Sequence, residues 1–306
     1  MSARTLVVFG LFLAMVPAAV HAELPGPVRA MIESAMRTDD PKAVAAVVKA
    51  AKETQPQDSA EIDAMKQKFD DTHNLISAER AERERERLLA ARPLELWKGE
   101  GEIGAFRNTG NTNNVGFSAG LKLERIGVYW QHKLQLNTDY QKTNGDVSRE
   151  QFLAAYSARY QLRDQFYVYG LVQYDRDRFQ GFDNRYSISS GFGYRVLDSS
   201  DLRLSLEAGP ALRYTDYIDE DSRTNASGLG SVDFSWTPAK TMKLTQVASA
   251  FLDPENSTFI SQTAIEAGMV KGLRARLSYR VEHDTNPPDS ARHTDTLSRF
   301  TLVYGF

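Results

Sequence analysis

The sequence predicts an all-β membrane barrel of about 12 antiparallel transmembrane strands, preceded by a short α-helical periplasmic segment. Three observations carry that prediction. From Trp97 onward the apolar residues recur with period two, in runs of about twelve residues or more. Soluble strands usually run five or six residues, and a spanning barrel strand needs about 9–11. The turns between runs alternate between short and longer, as expected when one end of a barrel faces the periplasm and the other the exterior. Aromatic residues gather near the two ends of the runs, in the position of interfacial girdles.

The N-terminus comes first in order. Arg4 precedes the apolar run "TLVVFGLFLAMVPAAV", and small residues stand at Val20 and Ala22. This is the pattern of a secretory signal peptide over 1–22, cleaved to leave Glu23 first. The apolar run is shorter than the roughly 20 residues of a spanning helix. An exported chain with no cysteine has no disulfides to form. With a net charge of −3 it lacks the basic footprint of a nucleic-acid binder. A mean hydropathy of −0.44 does not exclude a barrel, because lipid-facing and lumen-facing residues alternate and cancel.

Residues 23–95 read as a helical periplasmic segment. Val28, Met31, Ile32 and Met36 share one helix face. Asp40 followed by Pro41 is an N-cap with proline at the first helical position. Val44, Val47, Val48 and Ala51 continue a second helix, and a third is expected from about 60 to 91. Its "ERAERERERLLAAR" half carries i, i+4 pairs such as Glu79 with Arg83. Each pair is worth about 0.2–0.5 kcal/mol. That half reads as a solvated spacer or as an arm for a periplasmic partner.

Residues 96–306 carry the barrel. The twelve expected strands are 97–108, 113–125, 128–142, 147–162, 165–179, 184–197, 202–217, 224–237, 240–252, 256–271, 273–284 and 295–306. In the third, Val128, Trp130, His132, Leu134 and Leu136 oppose Tyr129, Gln131, Lys133, Gln135 and Asn137. The short turns are "IG", "RD", "DSSD", "TPAK" and "KG", and the longer ones include "TNGD", "QGFDN", "IDEDSRTN" and "TNPPDSARHTD". All three tryptophans fall at the periplasmic rim. Tyr140, Phe152, Phe179, Tyr214, Phe251 and Phe259 are expected at the outer one.

A charge on the lipid face at mid-depth costs roughly 2–4 kcal/mol, so charged residues in the strands should point inward. The candidate lumen-lining residues are Arg159, Arg203, Glu207, Arg213, Arg274, Arg276, Arg280 and Glu282, with arginine outnumbering acid. An arginine-lined lumen suits a narrow pore for small anionic solutes, whereas a salt-bridged one suits a closed structural barrel. Twelve strands lie between the filled eight and the open sixteen, so strand number does not choose. An enzymatic alternative, a phospholipase-like lipid-modifying barrel, would use His132 with an outward serine, but Ser190 is strands away. Without cysteine or paired histidines no metal site is expected, and no cofactor is. The acids Asp216, Asp219, Glu220 and Asp221 lack the spacing of a dedicated calcium loop.

The stretch "LWKGEGEIGAFRNTGNTNN" (96–114), with Trp97, Gly99, Gly101, Gly104 and a Thr109–Thr112 hairpin, resembles the domain of unknown function 481 family. Its members include salt-induced, YdiY-like outer-membrane proteins. "NTDYQKTNG", "YGLVQYDRDRFQGFDNRYS" and "SRFTLVYGF" are also similar to it. The resemblance implies the cell outer membrane of a Gram-negative envelope and a salt or envelope-stress role, and no established activity. The alternating Phe300, Leu302, Tyr304 and Phe306 are expected to form the signal read by the barrel-assembly machinery. Outer-membrane lipids are the remaining expected partners.

Overall fold

The structure is a computed structural model and describes residues 24–108, 114–270, 272–287 and 292–306. The expected signal peptide, the Thr109–Thr112 hairpin and part of the last loop lie outside the described residues. The chain divides into two compact units, one ending at Arg87 and one beginning at Leu88.

The first unit contains α1 (Gly26–Met36), α2 (Pro41–Thr54), a short 3-10 turn (Pro56–Asp58) and α3 (Ser59–Ala90). Asp40 caps α2 by accepting from the Lys42 N–H at 2.9 Å, as the sequence predicts. The i, i+3, i+4 stripes meet in a small core of Leu24, Ile32, Ala35, Val44, Val48, Ala51 and Ile62. Met65 and Phe69 of α3 pack against it. Asp39, at φ 55° between α1 and α2, accepts from His73 Nδ1 at 2.9 Å. Its other oxygen lies 3.6 Å from Arg80 of α3. Beyond that point α3 carries local pairs, among them Glu79–Arg83 and Glu84–Arg87.

The second unit is a closed barrel of twelve antiparallel strands, each bonded to its sequence neighbours, with the first meeting the last. They are β1 (Trp97–Asn108), β2 (Asn114–Ile126), β3 (Trp130–Thr143), β4 (Asp146–Gln161), β5 (Phe166–Asp177) and β6 (Phe182–Asp198). Then follow β7 (Leu202–Tyr217), β8 (Arg223–Ala239), β9 (Met242–Leu252), β10 (Thr258–Val270), β11 (Leu273–Asp284) and β12 (Thr294–Gly305). Strand number and order agree with the period-two reading. Ile103, Phe117, Val172, Ile188, Phe192, Leu277 and Phe300 all project from the outer surface. An apolar exterior around an ionic interior inverts the plan of a soluble barrel and fits a hydrocarbon surround.

Three details differ from expectation. β5 stops at Asp177, because the Asp177 carboxylate accepts from the Phe179 and Gln180 N–H groups and folds 178–180 into a 3-10 turn. Gly181, at φ 83°, then reverses the chain into β6. The β3–β4 connection is a two-residue Asn144-Gly145 turn with both φ positive (54° and 98°), although it lies on the longer-loop side. Phe251 is not part of a girdle. It is 2% exposed and points into the lumen, where the Arg213 guanidinium lies 4.0 Å from its ring centre.

At the short-turn end, the Trp130 and Tyr160 rings pack tilted at 4.9 Å, and those of Phe166 and Tyr194 at 4.7 Å. At the longer-loop end Phe152, Tyr174, Tyr186 and Tyr214 form a continuous row. Closure of the barrel uses Phe306, whose backbone exchanges both hydrogen bonds with Gly99 at 2.9 Å.

Candidate functional site

Alternation sends every second side chain of each strand inward, and register decides which of them meet. Glu266 of β10 stands opposite Arg276 of β11. Its carboxylate lies 2.8 Å from Arg276 and 3.0 Å from Arg274. Both arginines then reach over β12 to β1, Arg274 to Glu100 at 2.7 Å and Arg276 to Glu102 at 2.5 Å. Arg299 of β12 continues the chain to Asp139 of β3 at 2.5 Å. One ionic ladder thus lines the lumen wall from β10 round to β3.

A second cluster lies on the opposite wall. Tyr167, Gly193 and Glu207 share a level on β5, β6 and β7. With no side chain at Gly193, the Tyr167 ring lies across it and donates its hydroxyl to Glu207 at 3.1 Å. Arg159 closes the group at 2.7 Å from Glu207.

Towards the longer-loop end charged side chains crowd the lumen. Arg280 pairs with Glu282 at 2.8 Å, and Arg213 donates to Thr258 at 2.9 Å, which in turn donates to Asp284 at 2.6 Å. Arg185, 5% exposed, lies 3.8 Å from the Phe182 ring centre. At mid-height the walls of β3, β4 and β10–β12 converge on Asn137, Asp139, Gln151, Arg280 and Arg299. The pocket these side chains line is about 20 Å³, which is room for little more than one water.

Of the eight candidate lumen residues, the structure joins seven into these clusters. Arg203 stands apart at the exposed short-turn mouth, opposite Asp198 and Ser235. The expected excess of arginine over acid is corrected. Glu100, Glu102, Asp175, Asp177 and Asp284 also face inward, and three of them are among the most buried charged residues. Sequence reasoning missed Glu100 and Glu102 because their lipid-facing neighbours Gly99 and Gly101 give the strand no visible apolar phase. At the outer rim Arg176 faces Glu150 and Arg178 faces Asp183.

His132 lies on the outer surface among Trp97, Trp130 and Tyr156, with Nδ1 2.8 Å from the Tyr156 hydroxyl. No serine or carboxylate accompanies it in those contacts. Glu220 binds Arg223, and Asp216 accepts from Asn184 and Ser222. Among the described residues no group of three or more His, Asp or Glu side chains is placed to hold a metal ion.

A closed antiparallel barrel with an apolar outside and an ion-paired inside defines a membrane-spanning β-barrel of the outer-membrane type. Residues 101–306 match DUF481, a protein family of unknown function, and the chain belongs to that family. It is 28% identical over 216 residues to YdiY, an uncharacterized protein of Escherichia coli (strain K12), covering 70% of this chain and 84% of that one. Among solved structures it is similar to the translocator domain of the autotransporter NalP from Neisseria meningitidis (TM-score 0.41, 13% identity, 76% of this chain and 97% of that one). It is also similar to the COG4313 outer membrane channel from Pseudomonas putida F1 (TM-score 0.44, 11% identity, 71% and 97%).

Proposed function

We propose that the protein is a structural barrel of the Gram-negative outer membrane, exported by cleavage of residues 1–22, whose lumen is closed at rest. The observation that carries this reading is the mid-height convergence of Asp139, Gln151, Arg280 and Arg299 around about 20 Å³ of space. Buried guanidinium–carboxylate ladders hold walls together most strongly where water is scarce. The role is non-enzymatic: His132 has an aromatic, interfacial setting and not a catalytic one. The salt or envelope-stress connection rests on the family resemblance. The helical unit, with its charged second half of α3, is suited to a periplasmic partner, and Phe300, Leu302, Tyr304 and Phe306 to the assembly machinery.

Planar-bilayer recording tests the closed lumen. The purified barrel should give no discrete steps at voltages and salt concentrations at which porins conduct. One observation favours the alternative, a narrow anion pore. Among the described residues Arg185 makes no hydrogen bond or ion pair, and Arg213 bonds only a hydroxyl. Anion-selective steps that shrink in Arg213→Ala or Arg280→Ala would establish that pore and overturn the closed reading.

A further inference from the structure

The ladder that closes the barrel is incomplete. β1 is bonded to β2 along its whole length to Asn108, and β12 to β11 back to Thr294. Between β1 and β12, however, the register runs only from Glu100↔Gly305 to Ile103↔Leu302. Continued, it would set Gly104 opposite Thr301 and Ala105 opposite Phe300, and those pairs are not formed. Both strands run on towards the longer-loop end as facing, unjoined edges. Free backbone groups cost several kcal/mol each in hydrocarbon, so such an edge needs polar company. Ser118 lies 3.5 Å from the Gly104 carbonyl.

A cavity of about 170 Å³ occupies this stretch. Its lining mixes the two faces of the wall: Phe117, Tyr140 and Phe300 face lipid, while Asp139, Arg149 and Arg299 face the lumen. Since a strand alternates its faces, a cavity lined by both lies between strands and not on one side of them. The lumen end offers a guanidinium. Arg149 donates only to Gln151, at 3.0 Å, while Arg299 is shared between Asp139 and, at 4.0 Å, Glu102. The Nε atoms of both arginines are buried without a hydrogen-bond partner. The Arg299–Asp139 pair joins β12 to β3 across the unjoined stretch, as a strap where the backbone ladder is missing.

We infer that the longer-loop half of the β1–β12 seam is a lateral portal that binds an anionic amphiphile from the surrounding leaflet. The acyl chain lies against Phe117, Tyr140 and Phe300, and the phosphate or carboxylate head reaches Arg149. A guanidinium fork matches either oxyanion, and Arg149, which donates only to the neutral Gln151, has that fork to offer. This site is independent of whether the central lumen conducts.

The test is native mass spectrometry of the barrel in dodecyl maltoside, titrated separately with phosphatidylglycerol and with palmitate. The wild type should retain one equivalent of at least one probe, and which one is retained tells a phosphate head from a carboxylate. Affinity should fall at least about tenfold in Arg149→Gln and recover in part in Arg149→Lys. Ala105 also lines the cavity, so Ala105→Trp should fill it. Retention should be lost in Ala105→Trp, with heat-modifiable gel mobility confirming that each variant is folded. Failure of the wild type to retain either probe would overturn the inference. So would retention that neither Arg149→Gln nor Ala105→Trp alters.

Discussion

Glu266→Gln is the most informative single change, because it asks whether the lumen wall is packed or wet. The Glu266 side chain is 6% exposed and bridges Arg274 at 3.0 Å and Arg276 at 2.8 Å. Breaking a buried ion pair by removing one partner costs about 3–5 kcal/mol. Here Arg274 keeps Glu100 and Arg276 keeps Glu102, which places the expected loss at the lower end, about 3 kcal/mol. In a water-filled channel the same pair would be screened and worth at most about 1 kcal/mol. The assay is guanidinium unfolding in detergent micelles, followed by tryptophan fluorescence and checked by gel mobility. With slopes of roughly 2–6 kcal/mol/M, a 3 kcal/mol loss moves the midpoint down by about 0.5–1.5 M. Glu255→Gln is the control, since its pair with Arg223 at 3.2 Å is about half exposed on both sides, and it should leave the midpoint nearly unmoved. Equal midpoints for the two variants would refute the argument that the ladder is a dry structural element.

Three further outcomes are expected. Gly145→Ala forces a Cβ onto a backbone at φ 98° and should destabilise the β3–β4 hairpin by about 1 kcal/mol or more, read by the same unfolding titration. Deleting Phe306 removes both backbone bonds to Gly99 and should lower the amount of heat-modifiable barrel recovered from membranes. The hydrogen bond from His73 holds the Asp39 carboxyl below its ordinary value of 3.8. A depressed acid contributes its stability above the unfolded value and loses it as pH falls through the folded one. The helical signal at 222 nm should therefore melt earlier below about pH 3.8 than at neutrality, and Asp39→Asn should flatten that dependence.

Strand number, order and most boundaries were legible because lipid on one side and charge on the other impose a strict alternation. β7 shows it as alternating exposure from Leu206 to Thr215. Where side chains do not report the phase, the reading weakened. Gly99 and Gly101 concealed the inward direction of Glu100 and Glu102, and with it the near balance of lumen charge. Phe251 was misplaced because an aromatic near a strand end looks like a girdle residue until its neighbour Leu252 takes the outer phase. The pairing of Arg299 with Asp139, 160 positions apart, needs the register of four strands at once. Local spacing cannot supply that. The helical unit was legible for the converse reason: Asp40, Pro41 and the apolar stripes act within a few residues of each other.

The meeting of Phe306 with Gly99 also bears on how the barrel comes together. Every other ladder joins strands adjacent in sequence, so it can form as a local hairpin on the microsecond scale. The β1–β12 contact alone brings together positions about 200 residues apart, and its loop-closure entropy is offset only once the intervening hairpins have shortened the effective loop. Closure should therefore be the last and slowest event of folding. It falls to the seam with the shortest run of backbone pairs, which makes the same seam the first to open when the barrel is stressed.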